Sequence, residues 1–274
     1  MADCVLITIP ISHYCEKARW ALDRAGIEYE ERAHLQMLHW VAVKRAGGGR
    51  TAPVLVCGDR VMPDSTDILL FADERTDPGR RIYPDDPALA EDVRALELDF
   101  DARLGPEGRR WMYDAMRDRR DLALKYAPTG VPAWQRRSLP LAMPVVSRVI
   151  DRYLDITPET AARSLDEVRA TFDAVGDRLA DCRRYLVGDR FTAADLTFAA
   201  LAAPIVLPDE YGVPLPQLDE LPGPMAAVVR ELRGHPAGKF ALEMFRSERR
   251  RPAPGPSPPP GARPPAGAPG RPRG

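Results

Sequence analysis

Ser12, Tyr14 and Cys15 place two hydroxyls and a thiol just after the β-branched run Val5 to Ile9. Pro10 closes that run, and good helix formers follow from Glu16 to Ala25, so the segment reads as a strand leading into a helix. A thiol at such a helix start meets unpaired amide hydrogens and the positive end of the helix dipole. Both favour the thiolate, the reactive form. Cys15 falls in the first turn and could react on that account, although a buried, inert small hydrophobe is the commoner role of such a residue. Ser12 stands where a helix cap belongs, with its side chain placed to bond a first-turn amide.

Two more segments carry similar possibilities. Ala52-Pro53-Val54-Leu55 reads as a strand opened by proline, which lacks an amide hydrogen and therefore suits a strand's start or edge. In Asp64-Ser65-Thr66-Asp67-Ile68-Leu69, Asp64-Ser65 caps a helix running from Thr66 to about Asp73, and the amides of a new helix can bind a carboxylate.

The elements around these segments follow from local pattern. Ala18, Ala21, Leu22 and Ala25 share one helix face, and Gly26 stops that helix. Glu28 to His34 reads as a second strand, and Leu35, Leu38, Val41 and Val43 mark a helix that Gly47-Gly48-Gly49 breaks. Gly58-Asp59 is a hairpin turn leading into a short strand, Arg60 to Met62. The order is strand, helix, strand, helix, strand, strand, helix. Thr76 to Pro87 reads as a linker. Beyond it the pattern is helical: Val93, Leu96, Phe100 and Leu104; Val145 to Tyr153; Leu165, Val168, Phe172, Val175 and Leu179; Phe191 to Ala203; Met225 to Leu232; Phe240 to Phe245. Pro128 to Pro140 reads as an irregular loop.

In this order and with these gaps, the three chemical segments resemble the N-terminal domain of the glutathione transferase family, over about Cys4 to Arg75. Phe191-Thr192-Ala193-Ala194-Asp195-Leu196 is similar to the capping box and hydrophobic staple that the family carries in its helical half. The resemblance implies an α/β thioredoxin-like N-terminal domain followed by an all-α helical-bundle C-terminal domain. It divides the chain into a thiol-binding domain (1–76), a linker (77–87), a helical domain (88–248) and a Pro/Gly/Arg-rich tail (249–274).

The resemblance also implies chemistry: glutathione as co-substrate, without a metal, activated for attack on a small hydrophobic electrophile. Ser12 matches the catalytic position, where a hydroxyl hydrogen bond stabilises the bound thiolate. Ser12 also replaces the first cysteine of a thioredoxin-like Cys-x-x-Cys, so a disulfide cycle with Cys15 is unavailable. Pro53 matches the family's cis-proline, which exposes the backbone of Ala52 to the cysteinyl part of glutathione. Asp64 and Ser65 match the acidic-Ser pair that holds the γ-glutamyl end, with Asp standing where Glu or Gln is usual. Arg50 could reach a carboxylate of the thiol. The electrophile pocket is expected between the domains, near the helix after the linker and Tyr113, Met116 and Trp134. A homodimer is implied as well. The departure at Asp64 and the segment Pro128 to Pro140 leave room for a non-catalytic binding or scaffold protein of this fold, or for an enzyme using another low-molecular-weight thiol.

Other chemistries lack their patterns. Gly47-Gly48-Gly49-Arg50 has no phosphate-loop Gly-Lys-Ser/Thr, and no Gly-x-Ser-x-Gly elbow occurs. His13, His34, His39 and His235 have no evident nucleophile partner, and His13 reads as a surface residue. A formal net charge of −1 supplies no global field toward nucleic acid or an anionic membrane, and Arg246 to Arg251 lacks interleaved aromatics beyond Phe245. Cys4, Cys15, Cys57 and Cys182 have no paired spacing, so free thiols in a reducing compartment are expected, with no metal site. Met1-Ala2-Asp3 lacks the basic start of a secretory leader, and Leu196 to Leu207 is too short to span a membrane. A cytoplasmic protein is therefore expected. Pro252 to Gly274 holds ten prolines and five glycines, with nothing apolar larger than alanine, and reads as disordered.

Overall fold

Strand β1 (Cys4–Thr8) lies at the centre of a four-stranded mixed sheet, because its residues are apolar on both faces. It pairs in parallel with β2 (Glu30–Ala33) and antiparallel with β3 (Val54–Cys57), which pairs antiparallel with β4 (Arg60–Met62). The order across the sheet is β2-β1-β3-β4. These residues belong to a computed structural model whose described part runs from residue 3 to 249. The segment Pro252 to Gly274, expected to be disordered, lies outside the described residues.

Helix α1 (His13–Ala25) crosses between β1 and β2 and ends at Gly26, whose φ of 69° is the left-handed conformation a C-terminal cap needs. Helix α2 (His39–Arg45) is shorter than the sequence pattern predicts, since Leu35 is irregular and Gln36 to Leu38 form a turn instead. Helix α3 (Ser65–Asp73) completes the thioredoxin-like half. The connector is partly pinned: a 3-10 turn covers Pro78–Arg80, and the Ile82 amide donates to Asp73 Oδ1 at 2.6 Å.

The rest is helical: α4 (Pro87–Asp99), α5 (Gly105–Ala115), α6 (Arg120–Tyr126), α7 (Ala133–Tyr153), α8 (Pro158–Arg178), α9 (Ala193–Val206), α10 (Gly223–Gly234) and α11 (Pro236–Glu248). A π-helical turn, Phe100–Leu104, joins α4 to α5. Every residue of α9 is buried, and this helix packs against α1, α4, α5, α10 and α11, so it is the spine of the core. Its start has the predicted reciprocal capping: Asp195 Oδ2 accepts from both the Thr192 amide and the Thr192 hydroxyl at 2.7 Å, and Oδ1 accepts from the Leu186 amide.

Three sequence expectations are corrected here. Cys4 and Cys57 are not free thiols but form a disulfide; they face each other across β1 and β3, a pairing hidden by their separation of 53 in sequence. Pro128 to Pro140 is not all loop, because α7 begins at Ala133 and runs through Pro140 and Pro144. Pro144 has no amide hydrogen for the Pro140 carbonyl, and an Arg120 guanidinium NH supplies one in its place, so the helix continues. His13 is not on the surface: it is 3% exposed, because the first turn of α1 is covered by the start of α5.

Candidate active site

The sheet register brings the three segments to one end of the molecule. The β1–β3 ladder closes at Ile7↔Val54, and the β3–β4 ladder begins from Leu55↔Met62. The chain therefore leaves β1 toward Ser12, enters β3 from Ala52-Pro53, and leaves β4 toward Asp64-Ser65, all at the same edge. The Ala52–Pro53 peptide is cis. Ala52 lies beyond the ladder, so its backbone is outside the sheet's own pairing.

Ser12 is the N-cap of α1, and its Oγ accepts from the Cys15 amide at 3.4 Å. Its amide donates to the Ile9 carbonyl. Oγ is an acceptor in the cap, and the hydroxyl also bonds the Cys15 side chain, a weak acceptor while that thiol is protonated. Cys15 is fully buried, and its Sγ accepts from the Ile9 amide at 3.4 Å. Burial pushes its thiol up to about 11, which keeps it protonated and inert at neutral pH. Tyr14 donates to the Asp101 carbonyl at 2.8 Å, so its hydroxyl is already engaged; burial raises its pKa well above the ordinary value.

At the second helix start, Asp64 rather than Ser65 is the cap: its Oδ1 accepts from the Thr66 amide at 2.8 Å. Ser65 is the first helical residue and is 2% exposed. The Ser65 and Asp67 amides belong to the first turn, which has no intrahelical acceptors for them. Arg50 has an exposed side chain, and its carbonyl bonds the ring of His39 at 3.1 Å.

Behind the site lies a charged cluster that sequence reasoning missed. Lys17 Nζ, fully buried, reaches Glu97 at 2.9 Å, Asp101 at 2.7 Å and the Thr66 hydroxyl at 3.2 Å. Tyr83 donates to the other oxygen of Glu97 at 2.6 Å. This cluster ties α1 and α3 to α4 and the π turn, so it fixes the two helix starts relative to the helical half. No local pattern in the sequence marks it, because Lys17 reads as an ordinary helix former and its acidic partners come from the distant helical half.

Next to Ser12 opens a cavity of about 610 Å³ with mainly apolar walls, a size suited to a small organic molecule. Ile9 and Ile11 form its edge on the sheet side. Tyr113, Met116 and Trp134 line it, as the sequence led us to expect, but α4 does not; α5, α6 and α7 do. Ser12, Ala52, Pro53, Asp64 and Ser65 lie outside its lining. Helix α7 covers the cavity with Leu139, Met143 and Ile150 and is fastened by Gln135, whose Oε1 accepts from the Leu35 amide at 2.8 Å. Among the described residues, no helix is long and apolar enough to cross a membrane, and no group of three or more His, Cys, Asp or Glu could hold a metal ion.

Comparisons with known proteins agree with the fold. No curated protein matches the chain. Among solved structures, a glutathione S-transferase from Xanthobacter autotrophicus Py2 superimposes with a TM-score of 0.55 at 18% identity, covering 89% of this chain and 93% of the other. The theta class glutathione S-transferase of Xanthomonas axonopodis pv. citri, solved with glutathione bound, gives 0.51 at 18% identity over 89% and 98%. FzlA from C. crescentus gives 0.52 at 18% identity over 89% and 98%. At this identity the likeness speaks for the fold. Residues 6–80 match the glutathione S-transferase N-terminal domain and residues 158–230 match the C-terminal domain, so the chain belongs to the glutathione S-transferase family.

Proposed function

We propose that the protein is a glutathione transferase in which Ser12 stabilises the glutathione thiolate for attack on a small hydrophobic electrophile. The observation that carries this reading is the Ser12 hydroxyl at the head of α1, its oxygen accepting from the Cys15 amide and its proton facing only the weakly accepting, protonated Cys15 thiol, beside an apolar cavity. A thiol placed there receives that proton as a hydrogen bond and feels the helix dipole, and both lower its pKa. The unpaired backbone of Ala52, set by cis Pro53, suits the cysteinyl segment. The first-turn amides at Ser65, with Asp64 beside them, suit the carboxylate and ammonium of the γ-glutamyl end. In this reading residues 1–76 bind the thiol, 77–87 link and 88–248 supply the electrophile pocket; Arg249, expected at the start of the tail, is instead buried against Glu16 and Asp23 and belongs to the folded part. On the family resemblance we place the protein in the cytoplasm as a homodimer, with no nucleic-acid or membrane partner.

Two observations favour a second reading, a binding or scaffold protein that keeps the fold, or an enzyme for another thiol. The Asp64 carboxylate already caps Thr66, and Ser65 is almost closed off. Calorimetric titration with reduced glutathione, on the native chain and on Ser65→Ala, decides between them. Binding that weakens in the variant supports glutathione. No heat at millimolar glutathione sinks the first reading and leaves the second.

A further inference from the structure

Helix α5 runs from the catalytic end of α1 to the cavity. At its start, Gly105 lies against Tyr14, so closely that an added Cβ would fall 2.1 Å from the tyrosine oxygen. In its second half Met112 and Tyr113 line the cavity, and so does Met116 at its C-cap. Arg109 precedes Met112 and Tyr113 by three and four residues and therefore shares their face, one turn closer to Ser12.

Arg109 itself lies outside the lining, on the α5 face that Met112 and Tyr113 present to the cavity, whereas the arginines that do line it are engaged. Arg117 pairs with Asp114 at 3.2 Å and with Asp151 at 2.9 Å. Arg120 serves the Pro140 carbonyl. Arg109 differs: among the described residues no carboxylate pairs with it, and its Nε is buried without a hydrogen-bond partner. Its guanidinium acts electrostatically on His13, Tyr14 and Tyr113. None of these neutralises it, because His13 is held uncharged by burial and Tyr113 donates to Gln36. Asp101, whose charge also acts on Tyr14, is held by Lys17. A half-buried guanidinium with an orphan donor is costly unless an anion completes it, and Arg is the side chain best shaped to take a carboxylate with two parallel bonds.

We propose that Arg109 is a specificity residue that binds the acid group of the second substrate, so that the cavity selects amphipathic acids: an apolar, aromatic-sized body carrying one carboxylate or sulfonate. The body fills the space beneath α7, and the acid group turns toward Arg109 at the end nearest Ser12. This deepens the proposed function and rests on it for the role of the site, but its test does not need turnover. A carboxylate of the thiol itself could also reach Arg109, so the test separates the two sources.

The experiment measures binding of naphthoate and of the neutral naphthamide to the native protein and to Arg109→Met, with reduced glutathione titrated in parallel. One charge-assisted bond lost from the amide corresponds to about a tenfold or larger preference for the acid in the native protein. That preference should vanish in Arg109→Met while naphthamide affinity stays unchanged, which also shows that the variant is folded. Arg109→Lys should restore part of it. Equal binding of acid and amide by the native protein, or no binding of either, overturns the proposal. So does a variant that loses glutathione affinity with the naphthoate preference intact, since Arg109 would then serve the thiol. If naphthoate is preferred but glutathione never binds, the glutathione reading falls and the anion site stands.

Discussion

Arg249, just past the end of α11, closes onto Glu16: its Nε donates to Glu16 Oε1 at 2.7 Å across 233 residues. A second NH reaches Asp23 at 2.7 Å, and the Arg249 side chain is almost wholly buried. Glu16 also takes the Gly212 amide and Arg19, and Arg19 continues to Glu31 on β2. The end of the helical half is thus bonded into the helix that presents Ser12.

This arrangement makes Arg249 a boundary. A chain ending at Arg251 keeps the cluster and should unfold in urea as the full chain does. Arg249→Met leaves Glu16 and Asp23 without a buried partner and should lower stability by about 3 kcal/mol, the range for removing one partner of a buried pair. Matching urea midpoints for Arg249→Met and the native chain would refute the anchoring role.

His13 predicts a particular acid sensitivity. Burial first, and then the nearby Arg109 charge, lower its pKa from 6.5 to about 3. The folded protein therefore binds one proton fewer than the unfolded chain between those values. Stability is fully present above about 6.5 and falls as pH drops toward 3, at about 1.4 kcal/mol per pH unit from this group. His13→Gln should flatten that limb of a stability–pH curve. An unchanged slope between pH 6 and 4 would assign the acid loss to other groups.

What was legible in the sequence was what short segments decide by themselves. Gly26 ends α1 in the left-handed region, Ser12 caps it, and Thr192 with Asp195 form a reciprocal cap, because each of these is settled within a few residues. What stayed hidden depends on distant partners. Cys4 meets Cys57 only through strand register. The helix through Pro140 and Pro144 depends on an arginine from α6. His13 looks polar and exposed until α5 is laid over it, and Lys17 looks solvated until Glu97 and Asp101 arrive from the helical half. At the third segment Asp64 and Ser65 can both cap, and only the fold selects Asp64, whose carboxylate takes the Thr66 amide.

Gly105 is the point where α5 touches α1. Gly105→Ala would force the new methyl against Tyr14, whose hydroxyl bonds the Asp101 carbonyl. Overpacking of this kind costs about 1–3 kcal/mol. Adding Tyr14→Phe removes the nearest clashing atom and should recover part of the loss, so the two changes will be less than additive. Strict additivity in thermal or urea unfolding would mean that the contact is relieved by backbone movement elsewhere.

Ser12 has two roles that one substitution can separate. As a cap it bonds the Cys15 amide at 3.4 Å, a long bond, so Ser12→Ala should cost about 1 kcal/mol and no more than about 2 kcal/mol of stability. As a donor to the bound thiol it lowers the thiol pKa, and its loss should reduce the conjugation rate at neutral pH by about a hundredfold. The pH profile distinguishes the two. If Ser12 stabilises the thiolate, the rising limb of kcat/KM moves to higher pH in Ser12→Ala, and raising the pH restores much of the rate, because bulk hydroxide then does what the hydroxyl donor did. A merely structural serine would lower the rate equally at all pH values and leave that limb where it was.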